Sequence, residues 1–224
     1  TSTVQSRGIY HFPYRQSVLA DEDEQCSSLG NSSTRRRKKN SETCIITERD
    51  CEFSLGQYLW SGFDYIGEPT PYHTRNSYFG QIDTAGFPKD SYYLYQAAWI
   101  DRREKPVVHV FPYWDFNPGQ LIDVRIASNA DVVELLVNGV SKGRQRINHT
   151  GESKLTGDYR IAYEKGEITA VAYDENLKEI ARETRSSFGE PVRLILTQYE
   201  PERTLFAGTG DMAFFTVVAV DEAD

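Results

Sequence analysis

Gly56-Gln57-Tyr58-Leu59-Trp60-Ser61-Gly62-Phe63-Asp64-Tyr65-Ile66-Gly67-Glu68-Pro69 is the stretch on which the reading of this chain turns. Tyr58 to Trp60 read as a short apolar strand, and the glycines and two carboxylates that follow read as a turn. An aromatic ring at a strand end, beside a polar Gly-rich turn, is the makeup of a sugar-binding rim on a barrel. Upstream, Ser41 reads as the N-cap of a helical pattern running through Cys51. Downstream, Tyr92, Tyr95, Gln96 and Trp99 follow Pro88 at i, i+3, i+4, i+7 spacing, one apolar face of a helix capped by Asp90 or Ser91. The order helix, strand, loop, helix is that of a closing β/α unit.

Beyond Pro106 the hydrophobic period changes to two. Ile122, Val124 and Ile126 alternate with Leu121, Asp123 and Arg125. Val133, Leu135 and Val137 then lead into Asn138-Gly139, which predicts a two-residue type I′ hairpin. Further strand patterns cover 168 to 173 and 180 to 185, with no helix between them, as in an immunoglobulin-like sandwich. After Gly189-Glu190-Pro191 come two more alternating runs, 192 to 196 and 214 to 220. The expected fold is therefore mixed but mainly β. Residues 1–105 read as the last β/α unit of a TIM barrel, 106–188 as an immunoglobulin-like sandwich, and 189–224 as the start of a second sandwich.

Composition excludes several classes. A formal net charge of -8 argues against general binding to nucleic acid or anionic membrane. The cationic run Arg35 to Lys39 lies in a Ser/Asn-rich stretch and reads as a solvated loop. No window approaches about 18 uninterrupted apolar residues, so no membrane span is expected. Residues 1 to about 40 read as an irregular active-site loop of a larger body. Cys26, Cys44 and Cys51 cannot all pair with one another. With Cys44 and Cys51 about two helical turns apart, free thiols are expected. His11, His73, His109 and His149 are scattered and no C-x-x-C occurs, so neither metal nor cofactor is expected. Tyr113, Trp114 and Phe116 read as an aromatic cluster buried in the sandwich or against the barrel, with an exposed carbohydrate platform as the alternative.

Together with Tyr78-Phe79-Gly80-Gln81-Ile82-Asp83-Thr84-Ala85-Gly86-Phe87-Pro88-Lys89-Asp90-Ser91-Tyr92-Tyr93-Leu94-Tyr95-Gln96, the Trp60 stretch resembles the final barrel strand and helix of family 2 glycoside hydrolases, in particular bacterial beta-galactosidases. The resemblance implies retaining hydrolysis of terminal β-galactosides by two glutamates, one nucleophile and one acid then base. The loop Thr3 to Pro13 resembles the one that follows the family's nucleophile, so both glutamates are expected upstream of Thr1 and the chain alone is expected to be inactive.

Read from residues alone, Trp60 is a core tryptophan under a loop; the resemblance makes it a wall of the subsite that holds the terminal sugar, its ring against the apolar face of galactose. Asp64, Asn76 and Ser77 are the further expected substrate contacts. Arg7 and His11, at the pocket mouth, and Glu68 are held as secondary candidates, with pairing to Arg75 as the alternative for Glu68. The implied partner is a β-galactoside or oligosaccharide. Exposed apolar surface on a lone β/α unit leaves room for a homo-oligomer. The resemblance is compatible with bacterial cytoplasm, periplasm or secretion. The reading from a different class is an autonomous β-sandwich module that binds carbohydrate or another protein.

Overall fold

The computed structural model describes residues 41–67, 75, 77, 80–151 and 154–223. Among the described residues two helices precede nine strands: α1 (Ser41–Arg49), α2 (Asp90–Trp99), β1 (Val108–Phe111), β2 (Leu121–Ser128), β3 (Val132–Val137), β4 (Val140–Arg146), β5 (Thr156–Ala162), β6 (Glu167–Tyr173), β7 (Glu179–Ser186), β8 (Arg193–Gln198) and β9 (Phe215–Val220). These strands pair antiparallel throughout, and the described residues are mainly β. It divides into two compact units at Ser186/Ser187.

In the first unit, β1-β2-β5 and β4-β3-β6-β7 form two sheets, the seven-strand count of an immunoglobulin-like sandwich. The period-two pattern explains its core. Ile122, Val124 and Ile126 of β2 meet Val133, Leu135 and Val137 of β3, with Ile168 and Ala170 of β6 and Trp114 between the sheets. Leu121, on the opposite face of β2, is exposed. The Asn138-Gly139 turn forms as the sequence predicts: Val137 pairs with Val140, and φ is +50° and +78° at the two central residues, as a type I′ turn requires. The Asn138 side chain also ties the turn to β6, accepting from the Glu167 amide at 2.8 Å and donating to the Lys165 carbonyl at 3.2 Å.

A second apolar cluster lies on the outer face of the three-stranded sheet. Ile45 of α1 and Leu94, Tyr95 and Ala97 of α2 pack on Phe111, Ala127 and Leu155. Strand β1 serves both clusters by alternation: Val110 points into the sandwich, while His109 and Phe111 face the helices. A charged network reinforces the contact. Arg125 of β2 reaches Glu42 of α1 at 2.6 Å, Asp158 at 2.9 Å and the Thr156 hydroxyl at 2.8 Å, and the Leu155 amide donates to Glu42 at 3.0 Å.

Three local expectations differ from the structure. Tyr58 to Trp60 form no strand; instead, isolated bridges join Phe63 to Ile82 and Ile82 to Pro88. A strand needs a neighbour's ladder, and neither bridge involves Tyr58, Leu59 or Trp60. The buried face of α2 is Asp90, Ser91, Leu94, Tyr95 and Ala97, while Trp99 is exposed. The helix is turned toward the sandwich, not toward the face that its largest aromatics outline. Finally, Lys89 occupies the N-cap, not Asp90 or Ser91. The Asp90 carboxylate lies against His109, and the Ser91 hydroxyl donates to Gln81 Oε1 at 2.5 Å, so side chains that read as caps serve tertiary contacts.

The second unit is a hairpin in which Arg193 to Gln198 pair with Val220 to Phe215. The Val192 amide extends the ladder to the Val220 carbonyl, and Gly189 donates to the Asp221 carboxylate. Leu194, Leu196 and Val217 are exposed on it.

Candidate functional site

The rim around Trp60 is assembled from two irregular segments, 60–67 and 80–89. Its backbone is cross-tied: the Gly62 carbonyl accepts from the Gln81 and Ile82 amides, both at 2.9 Å, and the Asp64 amide donates to Ile82 at 2.8 Å. The approach at Gly80 is so close that a Cβ there would stand 2.2 Å from the Asp64 nitrogen and the Phe63 carbonyl carbon, so only glycine fits. Asp83 shapes the return. Its carboxylate accepts from the Ala85 and Phe87 amides, and Gly86, at φ +90°, closes the turn. The peptide between Trp60 and Ser61 is cis, and the Ser61 hydroxyl donates to the Phe63 carbonyl at 2.6 Å. These ties present the Trp60 indole outward, 58% exposed.

Beneath the rim lies a buried ion pair. Lys89 Nζ contacts both oxygens of Asp64, and the Gly80 amide donates to Asp64 Oδ1 at 2.8 Å. Burial pushes the Asp64 carboxyl above its ordinary value, against the pull of the Lys89 ammonium and the Gly80 amide. Burial likewise pushes Lys89 down, against the attraction of Asp64. Each group offsets the other's charge, so the pair braces the rim without giving it a net charge.

The residue after Lys89 enters a second buried cluster, on the sandwich side. Asp90 Oδ1 lies 2.9 Å from His109 Nε2, and Glu183 Oε2 lies 3.3 Å from His109 Nδ1. Tyr93 stacks on the imidazole with centroids 3.8 Å apart, and Arg185 Nη2 lies 3.3 Å from Nδ1. Burial works to raise the Glu183 carboxyl, but His109, Arg185 and the Val110 amide, which donates at 2.6 Å, hold it below the ordinary carboxylate range.

Of the residues expected to touch substrate, Trp60 stands at the surface of the rim, while Asp64 is buried with both oxygens engaged. Ser77 is fully buried; its amide donates to the Tyr65 carbonyl and its hydroxyl accepts from the Tyr65 amide at 3.0 Å. Asn76, Glu68, Arg7 and His11 lie outside the described residues. Lys89, which the sequence did not single out, is the organising side chain of the rim. Trp114 is fully buried and its indole donates to the Glu164 carbonyl, so it offers no platform to a sugar. Cys44 and Cys51 are free thiols. Among the described residues no group of three or more His, Cys, Asp or Glu is placed to hold a metal, and no helix is long and apolar enough to cross a membrane.

Residues 119–181 match a family described as a domain of unknown function, DUF4982. Over 99% of its length the chain is 39% identical to beta-galactosidase BoGH2A of Bacteroides ovatus, of which it covers 26%. It is also 37% identical over 65% of its length to a putative beta-glucuronidase of Formosa agariphila, covering 14% of that protein. Thus the chain spans about a quarter or less of these curated relatives. Among solved structures, a glycosyl hydrolase family 2 member from Bacteroides cellulosilyticus superposes with a TM-score of 0.63 at 28% identity, over 76% of this chain and 24% of that one. A beta-glycosidase from Bacteroides vulgatus shares the fold over the whole chain, and 31% of its own, with a TM-score of 0.74 at 24% identity.

Proposed function

The chain belongs with the family 2 glycoside hydrolases, and from that premise we propose that it supplies one wall of the terminal-sugar subsite of a retaining beta-galactosidase. On this reading residues 1–105 are the end of the catalytic barrel, 106–188 the sandwich behind it, and 189–224 the start of another sandwich. The observation that carries the proposal is the outward-facing Trp60 indole on a rim fixed by the buried Asp64-Lys89 pair. An aromatic face of this kind buries the apolar C-H face of a hexose while the indole N-H stays free to donate.

The chemistry requires two carboxyl groups about 5 Å apart. Among the described residues the rim carboxylates have other duties: Asp64 serves Lys89 and Gly80, and Asp83 serves the 85–87 turn. We therefore assign the chain a binding role and no hydrolytic activity of its own. The nucleophile and the acid/base come from the rest of the enzyme. A galactoside is favoured over a glucuronide because the beta-galactosidase relative matches 99% of this chain at 39% identity, against 65% at 37% for the putative beta-glucuronidase. Asn76 and Ser77 remain proposed contributors to the loop, with Asn76 the candidate for contact. Asp64 takes the role of a brace.

Hydrolysis of 4-nitrophenyl β-galactoside and β-glucuronide by the full-length enzyme carrying this chain tests the reading. Galactoside turnover lost on Trp60→Ala is expected, and a preference for the glucuronide would overturn the assignment. Measurable galactoside hydrolysis by residues 1–224 alone would overturn the binding-only role.

A further inference from the structure

Lys89 and Asp90 are adjacent, oppositely charged and both fully buried, yet they face different partners. Lys89 reaches into the rim and holds Asp64, four residues after Trp60. Asp90 reaches to the sandwich and holds His109 on the outer face of β1. Behind His109 stand Glu183 and Arg185 of β7, and Tyr93, one turn along α2, covers the ring. Glu183 also accepts from the Val110 amide of β1, so the cluster is fastened to backbone as well as to side chains. A single peptide unit at the N-terminus of α2 thus links the rim to the sandwich through two buried polar contacts.

We propose that His109, a sandwich residue, is a positioning residue for the Trp60 subsite, acting through Asp90 and Lys89. The inference rests on the reading of Trp60 as a sugar-binding wall. Its physical basis is the cost of taking a polar partner from a buried charge. Removing the imidazole takes one contact from the buried Asp90 and another from Glu183, and the start of α2 shifts to recover what is lost. Lys89 precedes Asp90 directly, so a shift of one carries the other. Its displacement opens the contact with Asp64 and frees the ties from Gly62 and Asp64 to the 81–82 backbone. A sandwich substitution then reads out at the sugar without touching it, as fine misplacement of binding groups does elsewhere.

The test uses the full-length enzyme with 4-nitrophenyl β-galactoside, and hydrogen exchange by mass spectrometry over 60–67 and 80–90. His109→Leu is expected to raise KM about fivefold or more with little change in kcat, and to speed exchange in both rim segments. His109→Gln, which keeps a donor for Asp90, is expected to restore most of both. Leu135→Ala is the control. It hollows the sandwich core away from the cluster and is expected to lower Tm at least as much, leaving KM and rim exchange as in the parent. If the two variants change KM and rim exchange in proportion to lost stability, His109 is merely structural and the proposal fails. The proposal also fails if His109→Leu leaves rim exchange unaltered. Failure of the subsite reading shows separately, as a Trp60→Ala enzyme with parental KM, and exchange still decides whether His109 positions the rim.

Discussion

The Lys89 ammonium sits astride the Asp64 carboxylate, 2.8 Å from one oxygen and 2.7 Å from the other, with 1% and 2% of the two side chains exposed. Removing one partner strands a buried charge. Lys89→Met is therefore expected to destabilise the fold by about 3–5 kcal/mol. The double variant Asp64→Leu/Lys89→Met should cost less than Lys89→Met alone, because neither charge of the pair remains. Urea denaturation of the three proteins measures both, and a double variant weaker than the single would contradict the account.

Gly80 is the position where the two rim segments touch through backbone. Its missing side chain is filled by the Phe63-Asp64 peptide, so Gly80→Ala must push apart atoms that cannot rotate away. A loss of about 3 kcal/mol is expected, larger than that of Gly86→Ala, where space is open and only the positive φ resists. Paired denaturant midpoints decide the order.

Trp60 and Trp114 should separate binding from stability. Trp114 is enclosed by the sandwich core, so Trp114→Ala is expected to cost about 3–5 kcal/mol. Trp60→Ala removes a largely exposed ring and should leave the melting temperature nearly unchanged while weakening galactoside binding. Calorimetric unfolding and a galactose titration, run on both variants of the full-length enzyme, check the pair of outcomes.

Acid sensitivity should track Asp158. Burial works to raise its carboxyl, but the Arg125 guanidinium, the Lys154 ammonium and the Thr156 hydroxyl outweigh that and hold it below its ordinary value. A depressed folded value means the stabilisation is full above the ordinary carboxylate range, about 4, and fades as pH falls through the folded value. Asp158→Asn is therefore expected to flatten the acid limb of a stability-pH curve below about pH 4, and to lower its neutral plateau. An unchanged acid limb would assign that limb to other carboxylates.

The sandwich was legible because its signals are local. Alternation in 121–126 and 133–137 and the Asn138-Gly139 turn each need only neighbours in sequence, and each appears in the structure with the expected face buried. The rim was legible only as composition. Trp60 and its glycines marked it, but Lys89 is 25 residues from Asp64 and follows a proline, where a lysine reads as solvated. Its one visible trace was Gly80, whose small size signals close approach without naming the partner. The orientation of α2 was hidden for a related reason. Tyr92 and Trp99 outline a stronger apolar stripe than Ser91, Leu94 and Ala97, yet the latter face the sandwich. A polar residue buried for a tertiary contact is indistinguishable, in one dimension, from a cap.

Strand β1 carries a consequence for building chimeras. Its four residues alternate between two cores, Val110 inward and His109 and Phe111 toward the helices. A graft joined between 105 and 108 moves the sandwich to a new host with an imidazole and a phenyl ring aimed at whatever helix the host supplies. A one-residue slip in the β1-β2 pairing would exchange the two faces outright. Recombination at this seam should succeed only when a helix resembling α2 travels with the strand, which makes the helix and the strand one unit of inheritance.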